Sequence, residues 1–383
     1  MGGGPAGAAT ALFLWANDRR LAERLVLLDK ARFPREKICA GAIGARADRL
    51  LETIDVRVNV PSAALAGLRV KTPVGSLSAR LEDGAPIGRV VRRAEFDAAL
   101  LDEVRSRGMR VCDGVAVRSV TREREGILLE TSDGPLRARA VIGADGVGSL
   151  VRRATGIARG RYHAQAVEVD TPWRSDDAPT DLLSFDVSDN RLTGYAWDFP
   201  TMVNGKSLVC RGIYHLTRGM PQGERLDATE YLRERLAAQG VATEGLRFKR
   251  FAERGISLNS PTAVDRMLLV GEAAGIDPVL GEGIPQAIFY GKTAGAYLAC
   301  CMRRGDYRFV DWAKRMRRER IGFDLSVRAL LPPFFYGSTR PIAERWVTRS
   351  HALARAGLSY FGGRVVPRRS LAVALVDLAR SVF

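Results

Sequence analysis

The chain opens Met1-Gly2-Gly3-Gly4-Pro5-Ala6-Gly7, and the reading of this stretch decides the fold. Gly2, Gly4 and Gly7 fit the pattern GxGxxG. The small, apolar run Ala8–Trp15 that follows reads as a helix start. The run Arg24–Asp29 (RLVLLD) reads as a strand ending in an acid, and Asp29 lies 22 residues beyond Gly7. This is the dinucleotide fingerprint. Its glycines permit a tight turn and a close backbone approach to a pyrophosphate, the helix N-terminus offers free N–H groups and positive dipole, and the acid accepts from ribose hydroxyls. Taken alone, the pattern also reads as a flexible glycine-rich start, and two later motifs decide between them.

The fingerprint ordinarily follows a strand, and here only Met1 precedes Gly2. The expectation is an in-frame apolar strand upstream, lost through truncation or a miscalled start. A signal peptide fits less well, because Arg19 and Arg20 follow the apolar stretch instead of preceding it.

Working outward, 383 residues imply two or three domains at roughly 150 residues each. A hydrophobic content of 46% with 27% charged residues excludes wholesale disorder. No run of about 18 apolar residues lacks charge, which argues against a spanning helix. The five cysteines (39, 112, 210, 300 and 301) form no CxxC pair, and the three histidines (163, 215 and 351) no cluster. A structural zinc site, a disulfide scaffold and a His-rich metal centre are therefore not expected. Cys300 and Cys301, after an Ala/Gly-rich helix, read as buried small residues. The net charge of +16 rests on 52 Arg against 7 Lys. That bias reads either as a compositional accident or as attraction for diphosphates or an anionic membrane surface. With no zinc-finger or RNA-binding aromatic signature, nucleic acid is not an expected partner.

Periodicity places helices over about 45–53, 94–108 and 285–302. It places strands over 115–120, 127–130, 138–142 and 267–270, and a small sheet over 66–92 around turns at Gly75 and Gly84. Residues 303–320 read as a basic helical run. The expected architecture is α/β. A Rossmann-like nucleotide domain (1–65, 86–158 and 256–302), with its first strand missing, is interrupted by a β-rich α+β substrate domain (66–85 and 159–255). A helical C-terminal region (303–383) follows.

Two further glycine motifs follow strands. Residues 142–152 supply Gly143, Asp145, Gly146, Ser149 and Arg152. Residues 268–283 read LLVGEAAGIDPVLGEG, an acid (Glu272) followed by small residues that open a helix. An acid there suits a polyol, small residues let the backbone pass a flat ring system, and a helix starting near Gly283 aims its dipole at charge developing on that ring. In order and spacing, the three motifs resemble the flavoprotein monooxygenase superfamily with the glutathione-reductase-like FAD fold, over about residues 1–300. The resemblance implies that Gly2, Gly4, Gly7 and Asp29 hold the ADP half of FAD. It implies that Lys37 and Arg93 stand near the cofactor, that Asp145 and Gly146 form the middle motif, and that Glu272, Gly281, Gly283 and Ile284 serve the ribityl and ring end. Glu272 replaces the usual aspartate.

Finer signals resemble the geranylgeranyl reductase branch. Residues 33–41 (FPREKICAG) are similar to its FPRxKxCGG stretch, with Ala40 for the first glycine; residues 278–284 (PVLGEGI) are similar to its PLTGEGI turn. Phe185 followed by Gly194-Tyr195-Ala196-Trp197-Asp198-Phe199-Pro200 fits its substrate-domain pattern. In an alternating strand Tyr195, Trp197 and Phe199 share a face. With Phe185 they are candidate substrate contacts for a long apolar prenyl chain, and equally the core of a sheet.

The resemblance implies a flavin-dependent reductase of carbon–carbon double bonds in a prenyl lipid, with electrons from NAD(P)H or a ferredoxin. Cys39 and Tyr195 are candidate proton donors, alongside a bound water. A flavin monooxygenase, a flavin halogenase and a degenerate, non-enzymatic lipid-binding flavoprotein fold are the alternatives. The basic run from Arg303 to Arg320 reads either as a solvated helix face or as a dock for an anionic membrane. Phe334-Phe335-Tyr336 reads as an interfacial wedge or a packing loop. The expected location is the cytoplasm, with membrane contact through this tail.

Overall fold

A computed structural model describes residues 1–158, 160–218 and 226–382. Residues 159 and 219–225, within the stretch assigned above to a substrate domain, lie outside the described residues. The architecture is α/β. Helix Pro5–Asn17 follows the glycine turn directly, with Pro5 supplying a preset φ at its first position. It is buried from Ala8 to Leu14 because long helix Ile284–Arg304 lies against it. The approach is close enough that a Cβ on Gly291 would come within 2.4 Å of Ala9, and one on Gly295 within 2.6 Å of Leu14. Glycine inside a helix costs about 1 kcal/mol against alanine, and here it admits this approach.

Beside these helices, strand Val26–Asp29 pairs in parallel with Arg110–Asp113, and strand Val141–Gly143 in parallel with Met267–Leu269. Met1 and Gly2 lie between the two pieces. The Met1 amine donates to the Ile142 carbonyl at 3.0 Å, Ala144 N–H donates to Met1, and Gly2 N–H donates to Leu28 at 2.7 Å.

Among the described residues the largest sheet has seven strands. Their spatial order is Lys249–Arg254, His163–Pro172, Lys206–Arg218, Gly194–Val203, Leu182–Asp186, Gly67–Thr72 and Gly75–Arg80. All neighbours are antiparallel except Leu182–Asp186 with Gly67–Thr72. One face carries Tyr195, Trp197, Phe199 and Tyr214; the other packs Ala196, Ile213 and Val167 under helix Ala228–Ala238.

Several local expectations shift. The small sheet expected over 66–92 divides: hairpin 67–80 extends the large sheet, while Gly88–Val91 pairs with Ala42–Gly44 and Ser62–Leu65. The strand expected over 138–142 is two strands, because Arg139-Ala140 carries the chain from a hairpin into the parallel sheet. The basic run is not one helix. Helix Ile284–Arg304 stops at Gly305, whose φ of +67° is a left-handed cap, and a separate helix spans Trp312–Arg318. Cys301 is buried but Cys300, one step around the helix, is exposed.

Candidate functional site

A cavity of about 750 Å³ opens at the carboxyl ends of the parallel strands, where such folds bind ligands. Gly2, Gly4 and Asp29 border it at one end, with Asp145 and Gly146 alongside and Glu272, Gly281, Gly283 and Ile284 at the other. Lys37, Cys39 and Arg93 border it as well. Gly7 does not; it lies under the turn, where a Cβ would stand 1.9 Å from the Gly2 carbonyl oxygen. The three motifs thus meet in one place.

The first motif is built as an anion cradle. Helix Pro5–Asn17 has no side-chain cap and no acid in its first turn, and its start at Gly4, Pro5 and Ala6 lines the cavity, so its dipole and the free N–H groups of Gly4 and Ala6 (Pro5 has none) are available there. Asp29 is partly committed to the turn: its carboxylate accepts from Gly3 N–H at 2.7 Å and Ala31 N–H at 2.8 Å. Two carboxylate oxygens retain acceptor capacity for a diol beyond these bonds. Asp145 is committed further, accepting from Ser149 Oγ and from Leu150 and Val151 N–H.

Sequence reasoning missed the device that charges this cradle. Asp97, 1% exposed on helix Arg93–Ser106, takes a two-pronged bond from Arg93 (both 2.7 Å) and a third from Arg35 at 3.1 Å. One buried carboxylate thereby orients two guanidinium groups and leaves net positive charge at the cavity wall. Arg35 Nη1 is shut from solvent and meets no hydrogen-bond partner among the described residues. An orphaned cationic N–H beside an uncapped helix N-terminus fits a diphosphate. The signal was present in the i,i+4 spacing of Arg93 and Asp97.

Buried acids line the wall around Glu272. Glu253 and Glu272 border the cavity, and burial pushes both carboxyls up from their ordinary range; Glu272 raises Glu253 further, while Lys37 and Arg93 pull Glu272 back down. Glu168, 3% exposed, accepts from Cys39 N–H at 3.2 Å; burial and the neighbouring Asp170 raise it to about 7. Burial likewise raises the Cys39 thiol, which keeps it protonated at neutral pH. Neither Glu253 nor Glu168 carries a motif signature.

Residues 277–282, which lead to Gly283, are gripped from two sides. Tyr195 and Tyr214 donate from the large sheet to the carbonyls of Leu280 (2.5 Å) and Pro278 (3.2 Å). From the C-terminal helices Tyr336 donates to Val279 at 2.5 Å, and Arg328 bonds Asp277 and Glu282. Arg46 meets Glu282 at 2.5 Å.

The four aromatic candidates do not border the cavity. Phe185, Tyr195, Trp197 and Phe199 pack on one another with ring centroids 5.1–6.2 Å apart, closed over by Leu358 and Tyr336. The wedge candidate is packed too, Phe334 against Trp346 at 5.9 Å. Among the described residues, no cluster of His, Cys, Asp and Glu suits a metal ion, and no helix is long and apolar enough to cross a membrane.

Residues 1–322 match the family model described as FAD binding domain. The chain is 25% identical to a digeranylgeranylglycerophospholipid reductase of Methanosarcina acetivorans, over 88% of this chain and 83% of that protein. It is 25% identical to a menaquinone reductase of Mycolicibacterium smegmatis, over 91% and 88%. Among solved structures it shares the fold of a geranylgeranyl bacteriochlorophyll reductase-like protein from Thermoplasma acidophilum. There the TM-score is 0.68 at 20% identity, covering 99% of this chain and 94% of the other. A flavin-dependent halogenase shares the fold equally, with a TM-score of 0.68 at 18% identity over 98% and 69%. With an anion cradle, a family match over most of its length and these relatives, the chain belongs to the FAD-binding-domain family, within the FAD-dependent monooxygenase-like flavoproteins and similar to the geranylgeranyl reductases.

Proposed function

We propose that this protein reduces carbon–carbon double bonds of a prenyl or polyprenyl lipid. The observation that carries the reading is the match, along most of both chains, to a named digeranylgeranylglycerophospholipid reductase. The residues of the cavity suit FAD. Gly2, Gly4 and the helix N-terminus with Arg35 and Arg93 would hold the diphosphate, with Gly7 closing the turn beneath. Asp29 would take a ribose diol, Glu272 the ribityl hydroxyls, and Gly281, Gly283 and Ile284 the ring edge. Asp145 and Gly146 shape the wall between. FAD, when bound and reduced, supplies hydride.

The protein's own share is to exclude water, orient the alkene and hold a proton. The aromatic set Phe185, Tyr195, Trp197 and Phe199 is packed as sheet core away from the cavity and acts on it through one hydrogen bond, Tyr195 to Leu280, in the turn that carries Gly281. On this reading the large sheet and its hairpin form a substrate domain inserted into the nucleotide-binding part. NAD(P)H or a ferredoxin supplies electrons. The arginines of helix Trp312–Arg318 would dock the protein on an anionic membrane holding the substrate, and cosedimentation that ignores anionic lipid content removes that part.

The deciding experiment is anaerobic. The FAD-loaded protein, reduced chemically, is mixed with a prenyl lipid and followed by the return of oxidised-flavin absorption and by the product's mass. Reoxidation with saturated product supports the reading. Turnover that needs oxygen replaces it with a monooxygenase or halogenase, a chemistry the shared fold also serves. A chain that stays colourless when FAD is added leaves a binding protein without redox activity.

A further inference from the structure

Glu253 stands on strand Lys249–Arg254, on the wall of the cavity. Its Oε2 is shut from solvent and has no hydrogen-bond partner among the described residues. The atom leans over the 278–284 turn: a Cβ on Gly281 would come within 2.5 Å of it, so glycine there makes room for this carboxyl. Leaving an ionised carboxylate buried without a donor is among the costliest arrangements a protein can hold, and the same group carrying a proton is nearly neutral in cost.

The charged surroundings agree. Facing Glu253 are the carboxyls of Glu272, Asp277 and Glu168 and the ammonium of Lys37; the acids outweigh the single cation, and burial and these acids raise Glu253 well above the carboxylate range. The Cys39 thiol and the Tyr195 and Tyr214 hydroxyls are near enough to feel its charge. Of the two donors named from the sequence, Tyr195 does not border the cavity, and its hydroxyl proton is held by Leu280.

We propose that Glu253 is the acid that delivers the proton when the double bond is reduced, an assignment that rests on the alkene-reductase reading of this cavity. One alkene carbon receives hydride from the reduced flavin, which is thereby oxidised. The π pair forms the second C–H bond with the Glu253 proton, leaving a carboxylate. That carboxylate lies near the Lys37 ammonium and regains its proton from water entering the cavity once product leaves. Two hydrogens are added, two electrons leave the flavin, and the acid is restored.

The test compares the full-length, FAD-loaded protein with Glu253→Gln, which keeps the shape and loses the acid. The infrared spectrum of each, taken at neutral pH, reads the carbonyl stretch of protonated carboxyls. The wild type should show a component that Glu253→Gln lacks, with FAD affinity by absorption titration unchanged. Anaerobic reoxidation of the reduced flavin by geranylgeranyl diphosphate should slow roughly 100-fold, the lower part of the usual range for a general acid. An unchanged infrared spectrum overturns the assignment, as does reoxidation slowed less than about tenfold. If the wild type itself is not reoxidised by any prenyl compound, the alkene-reductase reading fails. The infrared difference alone then decides whether Glu253 is the cavity's protonated acid: its presence sustains that state and its absence refutes it.

Discussion

Arg328→Met should unlock the loop that forms the ring end of the cavity. Arg328 bonds Asp277, meets Glu282 at 3.0 Å and Asp324 at 3.2 Å, and its side chain is 14% exposed against 0% for Asp277. Removing one partner of a buried pair costs about 3–5 kcal/mol, because the other charge stays behind. Asp277 retains the Val279 N–H at 2.8 Å and can take up a proton, which favours the lower end, about 3 kcal/mol. For 383 residues unfolding as a unit, with roughly 2.1 cal/mol/K per residue, this lowers the melting temperature by about 4 °C. The loss has a sign in pH. Burial already raises Asp277 above its ordinary 3.8 against the pull of Arg328, and without Arg328 it rises further. A raised folded-state value gives stability that is full below the unfolded value and lost as pH rises, so the variant suffers more at pH 8 than at pH 5. Adding Asp277→Asn to the variant removes the orphan and should recover at least half the loss. Calorimetry of the FAD-free protein decides. A melting temperature within about 1 °C of wild type at pH 7, or a loss independent of pH, refutes the ion-pair clamp.

Glu168 titrates at about 7 in the folded chain against an ordinary 4.5, so it contributes stability that is complete below pH 4.5 and lost as pH rises through 7. The amount is up to about 3 kcal/mol. Glu168→Gln should flatten the denaturation profile over that window while keeping an acceptor for Cys39 N–H, and an unchanged slope would show that Glu168 is ionised throughout. Iodoacetamide at pH 7 should label Cys300 first, since it is exposed, and Cys39 and Cys210 slowly, since burial raises both thiols; mass spectrometry of the peptides reads the order. Gly7→Ala puts a methyl 1.9 Å from the Gly2 carbonyl and must displace the cradle. FAD affinity should fall at least 100-fold in an absorption titration, and retention within about threefold would mean that the cradle does not bind the diphosphate.

The legible parts of this chain were those where local chemistry and final geometry coincide. The glycines at 2, 7 and 281 announce backbone approaches that a Cβ would block, and their motifs, with Gly4, Asp29 and Gly283, gather around one cavity, Gly7 lying beneath it. The Tyr195–Phe199 alternation placed three rings on one face of a strand, and they lie there. What the sequence did not disclose depends on distant partners. Strand Arg110–Asp113 has no alternation of its own and forms because Val26–Asp29 offers a parallel edge. Asp97 is an ordinary helical acid until Arg35, 62 residues away, arrives beside it. Glu253 sits in a polar, alternating strand of unremarkable composition, and only the turn at Gly281 makes it an enclosed acid. The basic run Arg303–Arg320 reads as a surface, whereas Arg328, which braces the site, lies beyond it; Tyr336 falls in the Phe334–Tyr336 stretch, where the packing reading fits its bond to Val279.

That last displacement bears on how the cavity holds its shape. The carbonyls of Pro278, Val279 and Leu280 are each held by a tyrosine hydroxyl, two from the large sheet and one from the helical tail. Fixing successive carbonyls fixes successive peptide planes, so the left-handed Gly281, at φ +63°, is held from outside as well as permitted by its own lack of a side chain. A strain that shifts Tyr195 must pull on Leu280, next to the residue that makes room for Glu253. The aromatic cluster, the acid and the ring end of the cavity are therefore one mechanical unit. Its far side is braced by Arg328 and Tyr336, so the helices after residue 303 belong to the site as much as the motifs that revealed it.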